Sequence, residues 1–369
     1  MTPGGVVTSE DVAWLSRAVA LAGPAQVVAS PNPGVGCVLV RGGEVVGEGA
    51  TGPVGGDHAE VVALAAAGEA ANAATAYVSL EPCAHHGRTP ACSDALLAAG
   101  VARVVFAHPD LNPIAAGGAR RLATAGVVVT GPLPPEHVVR GAVAAQLEGF
   151  LSHVTAGRPH VTLKLAQTAD GHLQATDGRR WITGRAARAA VHRWRANRDA
   201  VLVGIGTVLA DDPQLSVRAV ASEHQPRPVV LDATARTPPT AAVARPGAVV
   251  VTTSPAPAAA RRALVERGVE VVEVPAAPAG GVDLRAALRA LAELGVCSVL
   301  AEPGRTLAGA LLEAGLVDRL VLHIAVGQGR GPLRRALKVS EADWRTERLG
   351  GAGEDLIHHL LPTERSNHL

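Results

Sequence analysis

The chain has 369 residues, 48% of them hydrophobic and 18% charged, with a formal net charge of +1. That length and apolar content support two domains with separate cores and exclude a disordered protein. Near-neutral, interspersed charge and only 2% aromatic residues supply neither the basic stripe nor the stacking platforms that nucleic-acid binding needs. Four cysteines are too few for a disulfide framework in so long a chain. Met1 to Glu10 lacks the pattern of a signal peptide, and no uninterrupted apolar run is long enough to span a bilayer. A cytoplasmic protein with a small-molecule partner is expected, binding neither nucleic acid nor membrane.

In chain order, Ser9 is placed to cap a first helix, with Glu10 and Asp11 at its positive end and Val12, Leu15 and Val19 on one face. Strands at 36–40 and 45–48 are joined by an Arg41-Gly42-Gly43 turn. Helix 58–67, strand 77–80, helix 91–99, strand 103–106, helix 116–125, strand 127–130 and helix 136–150 follow. Residues 151–158 read as a linker between a domain at 1–150 and a second at 159–369. The second series has strands at 160–166, 200–203, 228–232, 249–252, 270–274, 298–301 and 319–325. Its helices fall at 185–197, 258–267, 284–294 and 306–314, with surface loops at 236–247 and 275–282. Strands alternating with helices predict α/β layers in both halves.

The chemistry is concentrated in His58-Ala59-Glu60, Pro82-Cys83 and Cys92. One imidazole and two thiolates are a ligand set for zinc, which in catalytic sites keeps a fourth position open. His-x-Glu followed by Pro-Cys-x-x-Cys is the pattern of zinc deaminases that act on ring amines; this chain has the His-x-Glu and the Pro-Cys, but its second cysteine lies nine positions on. Glu60, two residues after the first ligand, is the proton shuttle in that reading. Cys37 and Cys297 stand in apolar strand segments and read as core.

Around these residues, Pro31-Asn32-Pro33, His58-Ala59-Glu60-Val61 and Glu81-Pro82-Cys83-Ala84-His85-His86-Gly87-Arg88-Thr89-Pro90-Ala91-Cys92 closely resemble the bifunctional deaminase–reductases of riboflavin biosynthesis. The resemblance runs from about residue 9 to 330. It implies a three-layer α/β/α cytidine-deaminase-like domain followed by a dihydrofolate-reductase-like α/β domain. It implies zinc-dependent deamination of a diaminopyrimidinone ribosyl phosphate, then NADPH-dependent reduction of the ribosyl group to ribityl, in a homo-oligomer. His58, Cys83 and Cys92 are then the zinc ligands, and Asn32, Thr51, His85 and Arg88 face substrate. Thr51 stands where such proteins usually carry His after Gly47-Glu48-Gly49; it can form a hydrogen bond but carries no charge.

In the second half, Lys164-Leu165-Ala166 ends a strand, Trp181 and Val203-Gly204-Ile205-Gly206-Thr207 follow, and Glu302-Pro303-Gly304 precedes a helix. The Gly304 turn is a natural phosphate seat, because a helix N-terminus favours an anion. Gly204-x-Gly206 lacks the third glycine of a dinucleotide fingerprint, so no Rossmann site is expected. The resemblance places Ala166, Trp181, Thr207, Asp211 and a loop of Gly304, Arg305, Thr306, Leu307, Ala308, Gly309 and Ala310 against NADPH. It places Arg179, Arg195, Leu215, Arg218 and Glu302 against substrate. Lys164, one of two lysines with Lys338, is the candidate catalytic cation. Arg179 replaces a usual Ser, and the segment 326–330 replaces a longer Leu-Gly-rich turn. A working deaminase with a degenerate reductase domain is the alternative.

Overall fold

A computed structural model of the chain describes residues 6–85, 90–173, 181–327 and 343–363. Contacts divide the chain into two compact units, Met1–Gly157 and Arg158–Leu369. Among the described residues, no helix is long and apolar enough to cross a membrane.

The first unit runs α1 (Ser9–Ala22), α2 (Ala25–Ala29), β1 (Gly36–Arg41), β2 (Glu44–Ala50), α3 (Ala59–Ala67), β3 (Thr75–Leu80), α4 (Cys92–Ala98), β4 (Arg103–His108), α5 (Gly118–Thr124), β5 (Val128–Thr130), α6 (Val138–Gln146) and α7 (Glu148–Ala156). The sheet order is β2-β1-β3-β4-β5. β1 is antiparallel to both neighbours, while β3, β4 and β5 are parallel. Helices α1 and α6 pack together, and α3, α4 and α5 form a connected row, giving layers of helix, sheet and helix.

Three expectations are corrected here. Thr8, not Ser9, caps α1: the Asp11 backbone N–H donates to Thr8 Oγ1 at 3.1 Å, and the Thr8 N–H donates back to Asp11 Oδ2 at 2.9 Å. Residues 151–156 are helix rather than linker. Phe150 and Leu151 are buried in the first unit's core, so α7 packs inward until Gly157 ends it in a left-handed conformation. The expected helix over 136–150 is also two helices, broken at Leu147.

The second unit runs β6 (His160–Thr168), α8 (Arg185–Ala196), β7 (Ala200–Gly204), α9 (Ile205–Asp211), β8 (Arg227–Leu231), β9 (Val249–Thr252), α10 (Ala258–Val265), β10 (Glu270–Glu273), α11 (Leu284–Glu293), β11 (Ser298–Ala301), α12 (Arg305–Glu313), β12 (Arg319–Ala325), β13 (Trp344–Ala352) and β14 (Asp355–Pro362). Its nine strands order as β10-β9-β8-β7-β11-β6-β12-β14-β13. The run from β10 to β12 is parallel, and β14 and β13 add an antiparallel edge. Parallel strands buried on both faces account for the Val-rich runs at 228–231 and 249–252. The sequence reading missed α9, β13 and β14. β13 is exposed along most of its length, so it lacks the apolar alternation that marks a strand.

Candidate active sites

Two close packings place the catalytic elements of the first unit. A Cβ on Gly49 would stand 2.4 Å from the Ala59 carbonyl oxygen, and one on Gly47 would stand 2.3 Å from that of Ala63. Only glycine lets α3 lie this close on β2. His58 is the N-cap of α3 and Glu60 sits in its first turn. On the other side, a Cβ on Gly118 would meet the Pro82 carbonyl oxygen at 1.8 Å, so the start of α5 lies directly on the Pro82-Cys83 turn.

The result is a convergent ligand set. Donor atoms of His58, Cys83 and Cys92 all lie within 4.8 Å of one another. His58 Nδ1 is 3.1 Å from Cys92 Sγ and 3.7 Å from Cys83 Sγ. Cys92, the first residue of α4, donates its backbone N–H to Cys83 Sγ at 3.3 Å. Hydrogen bonds from Cys92 and His58 outweigh burial and pull the Cys83 thiol below its usual range, favouring the thiolate. Two sulfurs and one imidazole crowded on a common point fit zinc, with Nδ1 as the nitrogen donor. Glu60 is buried beside them, and burial pushes its pKa up to about 7, with the Cys83 charge adding to the rise. A carboxyl group poised there exchanges protons in either direction near neutral pH.

These groups open on a cavity of about 540 Å3. Asn32, Thr51 and His85 line it together with His58, Glu60 and Cys83, so the structure gathers the expected deaminase residues. Arg88 lies outside the described residues, as does Arg179. The Thr51 hydroxyl is already engaged with the Val35 backbone, accepting from its N–H at 2.9 Å. Sequence reasoning missed the floor of the site. Glu81 Oε1 accepts N–H bonds from Gly117 and Ala119, both at 3.1 Å, and Oε2 accepts one from Asp110 at 3.3 Å. Asp110 and Asn112, carried on the loop so held, also line the cavity. The Glu-Pro-Cys run was legible, but not what Glu81 would touch.

In the second unit, Lys164 and Ala166 lie on β6, and Glu302 follows β11, which pairs with it. Arg195, in the last turn of α8, clamps Glu302 with two bonds of 2.6 and 3.0 Å and donates to the Ser216 carbonyl at 3.0 Å. Burial works against the Glu302 carboxylate, yet Arg195 and Lys164 hold its pKa below the usual range. Burial pushes the Lys164 ammonium down, against the pull of Glu302.

Adjacent parallel strands β7 and β11 release α9 and α12 side by side. Thr207 Oγ1 lies 3.8 Å from where a Gly304 Cβ would stand. Gly304 is the N-cap of α12 and offers no side-chain cap, leaving its first N–H groups for an anion. The expected loop 304–310 is therefore a cap followed by helix, with Ala308 buried in the core. Trp181 is exposed with the Arg188 guanidinium 5.3 Å from its ring centre. Asp211 is exposed at the end of α9. Arg218 is exposed, and its Nη1 donates to Gln214 and Ser216 at 3.3 Å.

Two expectations change. Leu215 does not present its side chain to a ligand: with φ at 52° it turns inward and is buried among Val191, Val203 and Ile205. Arg195 is a brace for Glu302 rather than an uncommitted phosphate fork.

Comparison with known proteins gives both halves a family. The cytidine and deoxycytidylate deaminase zinc-binding region matches residues 8–108, and the RibD C-terminal domain matches residues 159–350. The riboflavin biosynthesis protein RibD of Escherichia coli is 41% identical over 377 residues, covering 95% of this chain and 99% of that protein. The structure of Acinetobacter baumannii RibD superposes with a TM-score of 0.84 at 36% identity, covering 96% of this chain and 99% of the other. A diaminohydroxyphosphoribosylaminopyrimidine deaminase/5-amino-6-(5-phosphoribosylamino)uracil reductase from Thermotoga maritima gives a TM-score of 0.80 at 28% identity, with coverage of 96% and 99%. The expected pairing of a cytidine-deaminase-like domain with a dihydrofolate-reductase-like one is thus found. Similarity of this strength through both units makes the chain a member of the RibD family of riboflavin biosynthesis proteins.

Proposed function

We infer that the chain is a bifunctional riboflavin-biosynthesis enzyme that deaminates a diaminopyrimidinone ribosyl phosphate and then reduces its ribosyl group to ribityl. The observation that carries the reading is the ligand set of His58, Cys83 and Cys92 beside the buried Glu60, in a chain whose second unit matches the reductase family. When bound, zinc supplies the Lewis acidity that makes water nucleophilic near neutral pH, and NADPH supplies the hydride.

Glu60 takes one proton from the attacking water and gives it to the ring nitrogen, then carries the second, from the hydroxyl left on the attacked carbon, to the departing amine, so that ammonia leaves and a carbonyl remains. Its raised pKa suits both directions of transfer. Asn32 and His85, on the cavity wall, orient the pyrimidinone through hydrogen bonds, and Arg88 engages the phosphate.

In the second unit, Ala166, Trp181, Thr207, Asp211 and the exposed start of α12 from Gly304 seat NADPH, with a phosphate at that helix N-terminus. Lys164 holds the ring-opened sugar at the carbon that receives hydride, Glu302 accepts from its hydroxyls, and Arg218 serves the substrate phosphate. Leu215 contributes through its backbone, and Arg179 is proposed to border the same cleft.

The test follows products by mass after incubation with the diaminopyrimidinone phosphate, with and without NADPH. The parent enzyme should lose one amine in both cases and gain two hydrogens only with NADPH. Glu60→Gln should retain zinc at parity with the parent while losing deamination by about 10²–10⁴-fold, and Lys164→Met should lose reduction alone. Deamination at full rate by a zinc-stripped preparation defeats the first half of the reading. Product that never gains hydrogen from NADPH defeats the second half and favours a degenerate reductase unit.

A further inference from the structure

Lys164 and His323 lie on the same sheet face in adjacent strands. Parallel pairing of β6 with β12 sets Lys164 beside Val321 and Ala166 beside His323, so the two side chains are diagonal neighbours, two residues out of step. With strands about 4.8 Å apart and about 3.3 Å of rise per residue, their Cα atoms are about 8 Å apart. A lysine stem crosses that gap.

His323 lacks what Lys164 offers. The Lys164 ammonium carries three donors, while the carboxylate in whose field it sits, Glu302, has both oxygens engaged by Arg195. His323 is 0% exposed, and neither of its ring nitrogens has a hydrogen-bond partner among the described residues. Burial foremost, with the positive charge of Lys164, holds its pKa at about 3, so the ring is neutral and one nitrogen is an acceptor. The other charged or titratable groups acting on it are Glu302, beyond which Arg195 of α8 is paired, and His359 of β14. A buried imidazole without partners is a burden that phenylalanine in the same space would avoid.

We infer that His323 is a positioning residue of the reductase site: its neutral ring accepts a hydrogen bond from the Lys164 ammonium when substrate and NADPH are bound, aiming that ammonium at the carbon that receives hydride. This rests on Lys164 being the catalytic cation, as proposed above.

His323→Phe keeps the ring's bulk and removes both nitrogens, and His323→Gln keeps a neutral acceptor. Both are assayed as full chains beside Lys164→Met, with the deaminated intermediate and NADPH. Melting temperature and deamination rate are the folding controls. H323F should melt no lower than the parent, keep its KM for NADPH, and reduce about ten-fold more slowly or worse. The alkaline limb of its kcat profile should move to lower pH, because the ammonium has lost an acceptor that favoured its charged form. H323Q should recover most of the rate. Parent-like reduction and pH profile in H323F overturn the inference, as does H323Q no faster than H323F at equal stability. Parent-like reduction by K164M overturns the role of Lys164, and this role with it.

Discussion

Removing the Glu81 carboxylate should loosen the zinc site without touching a ligand. Three backbone N–H groups, from Gly117, Ala119 and Asp110, converge on its two oxygens at 3.1, 3.1 and 3.3 Å. They tie the start of α5 and the loop at 110–112 to the residue two positions before Cys83. Gly118 simultaneously presses on the Pro82 carbonyl, so movement of α5 is movement of the cysteine turn. A hydrogen bond to a charged group contributes about 1.5–3 kcal/mol, and the three are not additive. Glu81 is half-buried, so water recovers part of the loss, and Glu81→Ala should cost about 2–3 kcal/mol. For a unit of this size that is a fall in Tm of roughly 5–10 °C. Misplacing what supports a ligand typically lowers metal affinity by about 10–100-fold. Calorimetry of the full chain reads the first effect, in the transition that a chelator also shifts. Competition with a chromophoric chelator at neutral pH reads the second. Glu81→Gln, which keeps one carbonyl acceptor, should fall between. If Glu81→Ala melts with the parent and holds zinc equally well, the carboxylate is not the tie described.

Two further outcomes follow from the same unit. Gly49→Ala places a methyl group 2.4 Å from the Ala59 carbonyl oxygen and 2.6 Å from the Ala63 nitrogen, so α3 must lift and carry His58 and Glu60 with it. Overpacking of this kind costs about 1–3 kcal/mol. Deamination should fall by about 10²-fold while NADPH-dependent reduction of supplied intermediate is unchanged. Asp11 is held at about 2: burial raises its pKa, but bonds from Arg103, Thr8 and Tyr77 prevail. Its native carboxylate therefore adds stability that is present above about pH 4 and is lost as pH falls towards 2. The Arg103 side chain is 27% exposed, so the contribution is on the order of 1–2 kcal/mol after screening. Acid titration of the unfolding free energy should show that loss in the parent and not in Asp11→Asn.

The zinc site was legible because its chemistry resides in the residue types themselves. An imidazole, two thiols and a carboxylate can be recognised in order along a chain before any of them is placed in space. Strands β1, β3, β4, β6, β7, β8, β9 and β11 were legible for a similar reason, since their apolar runs are local and continuous. Local signal failed where a segment's neighbours decided its state. Residues 151–156 carry Ser, His, Val and Thr with no obvious face, and only Phe150 and Leu151 packing into the core make them helix. The family resemblance set Leu215 against substrate, but its positive φ turns the side chain into the cluster of α9 and β7. The short helix α9 followed a strand directly, without the cap residue that announces a helix start.

Arg195 shows why the remainder needed the fold. As a residue type it is a planar fork that suits a phosphate. Its partner is 107 residues away, brought there because β6 and β7 flank β11 in the sheet. Arg195 engages both oxygens of Glu302, and the same carboxylate lies in the field of Lys164. The cluster of Lys164, Arg195 and Glu302 is then left with one net positive charge, and it rests on the lysine. Burial lowers the Lys164 pKa and the field of Glu302 raises it, so its ionisation responds to small changes nearby. The ion pair between Arg195 and Glu302 thus fixes the charge beside Lys164, and no reading of either residue alone contains that.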